Sequence, residues 1–366
     1  MNKGAELMYY AILQEIERRY PTAEVIVPYS VFGLIPSGVK LKYAPGYWIN
    51  KHSALRILRK IGLLPRKYRG DYAIPNIDYY LDASGYKFTD QFSHSAYSVS
   101  RLKSLLGAYY RQGTKIVFLP QAFGPIEKDV TKELIRTIVE NSALVMPREK
   151  ASADYLIHLV GEQPNIKIYT DFTALVDGVF PARYSHLRSG VCIIPNAKMV
   201  SQGVSSADEY LDFLGWMISV VKDSGHPVYL LNHESKGDEE IARKCQKIVG
   251  NQVEVVSGLN GLEVKGMIAS SYLCISSRFH GVASALSSCV PCLATSWSHK
   301  YEALFADYHI SDAILPIGER ERMAEMIDRY MDPIFNAQVR MNLSKEVSLI
   351  KQEIREMWDA VWSLNQ

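Results

Sequence analysis

The stretch Cys274-Ile275-Ser276-Ser277-Arg278-Phe279-His280-Gly281-Val282-Ala283-Ser284-Ala285-Leu286, followed by Trp297-Ser298-His299-Lys300-Tyr301, decides how this chain reads. Leu273-Cys274-Ile275 is apolar and predicts the end of a short buried strand. Ser276 to Gly281 is polar and ends in glycine, which predicts a loop. Val282 to Ser288 is small and apolar, which predicts a helix packed closely on a sheet. Val290 to Thr295 predicts a second short strand, again ending in polar residues. Arg278, His280 and Lys300 then fall at the carboxyl ends of strands or in the loops that follow. Ligands of open α/β sheets bind at that edge. A helix N-terminus beside a guanidinium and an imidazole suits an anion.

Outward from this stretch, strand and helix alternate in two runs. The first has strands at Ala23–Pro28, Ile77–Asp82, Lys115–Pro120, Ala143–Met146 and Ile166–Tyr169, with helices near 6–19, 97–112 and 129–141. A helix opens at Pro147-Arg148-Glu149-Lys150, so Arg148 lies at a strand end near a helix N-terminus; alone, such an arginine also fits a cap or a surface ion pair. Residues 30–50 are rich in Gly, Pro, Tyr and Trp without a period, and predict a long loop. Phe180 to Ser189 lacks periodicity and suits an interdomain linker. The second run has strands at 190–196, 227–231, 253–256, 273–275 and 290–295, and helices at 207–224, 238–249 and 261–270. Residues 320–332 and 335–364 read as helices. Two such runs imply two α/β domains with parallel sheets. The expected division is 1–182, 190–340, and a terminal helix 341–366 that crosses back to the first domain. A strand normally precedes the first helix of a doubly wound domain. Either a first strand is missing from the recorded sequence or the chain starts with a helix.

Composition narrows the function. Of 366 residues, 48% are hydrophobic and 22% charged, as in a globular protein. A net charge of +2 gives no case for nucleic acid. No apolar run reaches the length of a membrane span, and no secretory signal is visible. The five cysteines lie mostly in apolar runs, as expected of reduced core residues in a cytoplasmic protein. Cys289-Val290-Pro291-Cys292 is formally a CxxC, but its flanks are strand-like and favour packing. The basic amphipathic segment 51–67 suits either an anionic membrane surface or a solvated helix.

No GxGxxG follows a strand and no GxxxxGK[ST] is present, so nucleotide-loop motifs are unsupported. No HExxH or GxSxG occurs, and Asp238-Glu239-Glu240 sits at a helix start, where carboxylates favour the dipole. His280 gains weight from its neighbours Arg278 and Lys300. Histidine with two cations predicts an anionic ligand and a proton exchanged near neutral pH. His299 competes for that role. His233 follows a strand in the second domain and is a candidate for lining the same cleft, as is Gln121 at the end of strand 115–120.

At these residues the sequence resembles the polysaccharide pyruvyl transferase family. The resemblance rests on Ser277-Arg278-Phe279-His280-Gly281 and Trp297-Ser298-His299-Lys300-Tyr301. Weaker support comes from Pro120-Gln121-Ala122-Phe123-Gly124-Pro125, Pro147-Arg148-Glu149-Lys150-Ala151-Ser152, Leu81-Asp82-Ala83-Ser84-Gly85 and Asn2-Lys3-Gly4-Ala5-Glu6. It implies two facing Rossmann-like doubly wound domains of glycosyltransferase-B type with an active site in the cleft. It also implies phosphoenolpyruvate as donor and a sugar or lipid-linked oligosaccharide as acceptor, joined as a pyruvate ketal in surface or capsular polysaccharide synthesis. On that pattern His280 is catalytic, and Arg148, Lys300 and Arg278 bind the donor, with Arg278 also suited to supporting its loop. No metal or redox cofactor is required. Position and residue type suggest Asp82, Ser84, Asp90, Tyr47 and Trp48 for the acceptor. With a lipid-linked acceptor, segment 51–67 would dock at the inner membrane face. The competing expectation is a nucleotide-sugar glycosyltransferase of the same fold, whose donor is also anionic.

Overall fold

The structure is a computed structural model that describes residues 2–27, 40–43, 76–234, 236–295, 299–310 and 312–365, with side chains except at 42, 43, 299, 300 and 365. The segment 51–67, and Tyr47 and Trp48 before it, lie outside the described residues. The chain forms two compact units: residues 8–169 with 357–366, and residues 1–7 with 170–356. They are called the first and second unit below.

Helix α1 (Lys3–Arg19) gives its first turn to the second unit and the rest to the first. In the first unit, β1 (Glu24–Val27) pairs in parallel with β2 (Lys40–Tyr43). The sequence predicts a loop at β2 because Lys-Leu-Lys-Tyr is too short and too polar to stand out. Strand β3 (Tyr79–Asp82), helix α2 (Ala96–Arg111), strand β4 (Lys115–Gln121), helix α3 (Asp129–Asn141), strand β5 (Leu144–Pro147) and helix α4 (Lys150–Val160) follow. The strands form a parallel sheet in the order β3-β4-β5. Central β4 is a continuous apolar run, as a strand covered on both faces requires. Ile116, Phe118, Ile135, Ile138 and Leu156 are buried together around it. Each such side chain contributes about 1.5–3 kcal/mol by leaving water. The expected strand at Ile166–Tyr169 is instead an isolated bridge to Val145, with Tyr169 N–H donating to Pro147 O. The last residues of the chain also belong here: Trp362 Nε1–H donates to buried Glu15 Oε1 at 3.1 Å.

The second unit begins earlier than the sequence pattern suggests. Short 3-10 turns at Phe172–Leu175 and Ala182–Leu187 already belong to it. Their segment has few periodic apolar residues because it packs backbone on backbone. A Cβ on Gly178 would stand 2.3 Å from Gly266 N, and Val179 N–H donates to Leu262 O at 2.9 Å. The unit continues with β6 (Val191–Ile194), α5 (Lys198–Ser201), α6 (Ala207–Val221), β7 (Val228–Leu231), α7 (Lys236–Ile248), β8 (Glu254–Val256), α8 (Gly261–Ala269), β9 (Leu273–Ser276), α9 (Phe279–Ser287), β10 (Cys292–Ala294), α10 (His299–Asp307), α11 (Arg320–Met331) and α12 (Pro333–Trp362). The last runs on into the first unit.

Capping boxes, Ser206 with Glu209 and Asn260 with Glu263, start α6 and α8. Glu6, buried and paired with Lys3 at 2.8 Å, accepts the Gly261 N–H at 3.0 Å. That carboxylate at the N-terminus of α8 is favourable. It also fixes the first turn of α1 in the second unit.

The five strands are parallel in the order β10-β9-β6-β7-β8. Cys192 sits opposite Cys274, and Cys274 opposite Cys292. All five cysteines are thiols. Burial, first among several causes, pushes the Cys192 thiol well above its ordinary pKa, which makes it an unreactive core residue. Cys289 has a left-handed φ of 57° and Cys292 is buried in β10, so Cys289-Val290-Pro291-Cys292 is a turn entering a strand.

One expected boundary moves. Phe279, His280 and Gly281 are the first residues of α9, where a loop was expected. Gly281 does not end a turn; it lets the helix approach the strand. A Cβ there would stand 2.5 Å from Ser276 Oγ and 3.0 Å from Ile194 Cδ1. Gly281→Ala should therefore lower the melting temperature by several degrees, whereas Gly215→Ala, whose added Cβ would have its nearest neighbour at 3.8 Å, should not.

A second prediction concerns Lys265, buried in α8 with its Nζ donating to Thr173 O at 2.9 Å. Desolvation drives its pKa down to about 7, against a partial opposing pull from Asp171. The unfolded chain therefore binds one more proton than the folded chain between about pH 7 and pH 10. Stability from this group rises with pH across that window. Lys265→Met should flatten the rise in melting temperature; an unchanged slope contradicts it.

Candidate functional site

In the second unit the connections step outward from β6 in one direction through β7 to β8, then return to β9 on its other side. The gap between the carboxyl ends of β6 and β9 is a topological switch point, where open parallel sheets bind ligands. Asn196 and Lys198 follow β6, Asn232 and His233 follow β7, Arg278 and His280 follow β9, and Thr295 follows β10.

Hydrogen bonds hold the β9 end rigidly. Ser276 Oγ accepts the Arg278 N–H at 3.0 Å and donates to Arg278 O at 3.0 Å. The Ser277 carbonyl accepts from Asn196 Nδ2 and from the Tyr301 hydroxyl, each at 2.8 Å. Ser277 Oγ meets Tyr210 OH at 3.2 Å and also bonds Thr295 Oγ1. Every one of these side chains is buried. Tyr301 thus serves the loop with its hydroxyl. The side chains of Lys300 and His299, at the start of α10, are outside the description.

Arg278 is buried and paired with two carboxylates, Glu234 and Asp238. Burial lowers its pKa to about 10, so it stays charged near neutrality. Asp238 also accepts the Ala197 N–H at 2.8 Å, tying β6 to α7. Arg278 is therefore a cross-link among three strand ends, its charge already matched. Nearby Lys198 is the cation that motif reading missed. Desolvation first, then Arg278, holds it below its ordinary pKa, with Asp238 opposing. It sits in a four-residue helix with no recognisable pattern.

His280 is partly exposed. One edge of its ring lies on the backbone of Gly4 in the first turn of α1: a Cβ on Gly4 would stand 2.1 Å from His280 Nδ1. Its Nε2 is 3.9 Å from Asp171 Oδ2. Neither neighbour was foreseen. The signals were a glycine opening a helix and the Asp-x-Thr spacing of a side-chain-capped turn. His233 is almost fully buried. Burial, then His280, Arg278 and Lys3, push its pKa well below the ordinary value, so it is a neutral imidazole. Among the described residues, Asn232 Oδ1, His233 Nε2 and Arg278 Nε are buried without a hydrogen-bond partner. Buried orphans of this kind mark a ligand site or a strain. Among the described residues no three His, Cys, Asp or Glu side chains are placed to hold a metal.

The first unit brings together Asp82, Ser84 and Gln121. Ser84 donates to Asp82 through its N–H at 3.0 Å and its hydroxyl at 3.1 Å, and Gln121 Nε2 donates at 3.2 Å. Gln121 is fully buried, and its Oε1 has no partner among the described residues. Asp90 is engaged elsewhere, accepting the Glu127 and Lys128 N–H groups. Burial opposes its ionisation, but those two amides and the Lys128 ammonium hold its pKa low. Arg148 directly follows β5 with its side chain buried, its N–H donating to Gln121 O at 3.0 Å and its Nε 3.5 Å from Glu149 Oε2. No described helix is long and apolar enough to cross a membrane.

No curated protein matches the chain in sequence. Solved structures resemble it in fold. A putative UDP-N-acetylglucosamine 2-epimerase from Listeria monocytogenes has a TM-score of 0.62 at 12% identity, over 98% of this chain and 93% of its own. The UDP-GlcNAc 2-epimerase of Neisseria meningitidis bound to UDP-GlcNAc gives 0.57 at 10% identity, over 97% of each. That of Methanocaldococcus jannaschii gives 0.57 at 9%, over 89% of each. At such identities the likeness carries the fold alone: two Rossmann-like α/β units of glycosyltransferase-B type. A profile of polysaccharide pyruvyl transferase matches residues 2–299, more than half the sequence. The chain belongs to the polysaccharide pyruvyl transferase family.

Proposed function

We propose that the protein transfers pyruvate from phosphoenolpyruvate to two hydroxyls of a sugar, forming a ketal. The observation that carries this reading is that His233 Nε2 and Arg278 Nε, at the switch point beside His280, are buried without a partner among the described residues. The donor carries a carboxylate and a phosphate, which need hydrogen-bond donors and cations. On the family pattern Lys300 and Arg148 supply charge, and the geometry adds Lys198. Arg278 mainly holds the loop, since Glu234 and Asp238 occupy its two terminal nitrogens and leave Nε alone for a ligand.

The chemistry is proton transfer at carbon followed by addition. A proton reaches the methylene carbon, using the alkene electron pair to form the new C–H bond. The electron-deficient C2 then takes a sugar oxygen. The bond from C2 to the phosphate oxygen breaks with its electron pair leaving on phosphate. The second hydroxyl closes the ketal, and the hydroxyl protons return to the base and to solvent. His280 is the proton-transfer residue. Asp82, Ser84 and Gln121 suit sugar hydroxyls, being a polar cluster with one orphaned acceptor. With a lipid-linked acceptor, the basic segment 51–67 would serve contact with the inner membrane face.

His280→Ala should abolish phosphate release from phosphoenolpyruvate with acceptor present and leave the melting temperature within a few degrees; near-normal turnover sinks the assignment. Phosphoenolpyruvate should raise the melting temperature of the unaltered protein. A rise with UDP- or GDP-sugars instead favours a nucleotide-sugar glycosyltransferase. Gly4→Ala should displace the imidazole and cut turnover at least tenfold; normal turnover would show that the ring's seat on α1 does not matter.

A further inference from the structure

We propose that Asp171 is a positioning residue for His280, fixing the imidazole opposite Gly4 and holding it protonated so that it enters turnover as the acid. This rests on the reading of His280 as the proton-transfer residue.

Asp171 is built to present one oxygen. Its Oδ1 accepts from Thr173 N–H at 2.9 Å and from Thr173 Oγ1–H at 2.6 Å. Its Oδ2 faces His280 Nε2 at 3.9 Å. The turn that carries it is anchored from both sides. Phe172 is fully buried, and the Thr173 carbonyl accepts from the buried Lys265 Nζ at 2.9 Å. The carboxylate is itself 5% exposed, so water screens its effect weakly. On the other edge of the ring, Gly4 leaves no room for tilt. The imidazole is thus bounded by an α1 backbone on one side and a fixed anion on the other.

A carboxylate within about 4–6 Å favours the charged form of an imidazole. Several charged groups lie nearby among the described residues. His233 faces His280 and is neutral. Arg278 and Lys3, beyond His233, are opposed by Glu234 with Asp238 and by Glu6. Lys265 and Tyr308 lie beside Asp171, with Asp177 and Lys351 behind Lys265. As the acid, His280 gives its proton to the methylene carbon and recovers one from the attacking hydroxyl.

Asp171→Asn can keep both hydrogen bonds from Thr173 on its amide oxygen, while the carboxylate oxygen facing His280 becomes an uncharged amide NH2. The His280 pKa, read by NMR titration of the imidazole without substrate, should fall by about one unit or more. The limb of the pH–kcat profile on which activity is lost as pH rises should move down with it. The reciprocal variant His280→Gln should raise the Asp171 carboxyl pKa, read from its carbon shift; this decides the matter should the first variant not fold. Unchanged pKa values in the folded variants overturn the proposal. Because the titrations need no substrate, they stand or fall apart from the donor assignment, which phosphate release by the unaltered protein tests.

Discussion

The contact between Gly281 and Ser276 sets everything else at the second unit's sheet edge. With no side chain at 281, α9 descends until its first turn meets the end of β9. Ser276 Oγ is then close enough to bridge the Arg278 backbone. His280 follows on the first turn of the helix, pointed by geometry that any larger residue at 281 would break. The neighbouring strand reinforces it: Asn196, at the end of β6, reaches across to the Ser277 carbonyl. The parallel register of β6 with β9, Ile194 opposite Ser276, makes that reach possible.

Charge at this edge is arranged in matched sets. Arg278 is held by two carboxylates, Glu6 by Lys3 and by a helix N-terminus, and His233 stays neutral because burial and three cationic or imidazole neighbours oppose its protonation. Truncating one partner of such a buried pair strands the other at a cost of about 3–5 kcal/mol. The arrangement separates two tasks that residue type alone cannot tell apart. Arg278 keeps the loop; on the proposed reading, His280 is left to ligand chemistry. It also explains why an arginine in a signature motif need not be the one that meets the anion.

Much of the architecture was legible because parallel strands buried on both faces leave continuous apolar runs, as at Lys115–Gln121 and Val191–Ile194. The helices with strong caps were equally plain. Less visible were elements whose cause is distant in sequence. Strand β2 has two lysines in four residues and exists through its pairing with β1. The segment 180–189 read as a linker because the chain entering it packs glycine against glycine, Gly178 on Gly266, which leaves no hydrophobic signature. At the site, His280 and the strand-end position were readable from the motif. Gly4, Asp171 and Lys198 were not, since their proximity arises only when α1, a 3-10 turn and α5 converge on the same edge.

The central claim is that the switch-point edge of the second unit binds the anionic donor. Hydrogen–deuterium exchange with and without saturating phosphoenolpyruvate tests it directly. Slower exchange should appear in peptides covering 195–198, 232–234 and 276–281. No protection in these segments at saturation, or protection there by a nucleotide sugar and not by phosphoenolpyruvate, would contradict the account.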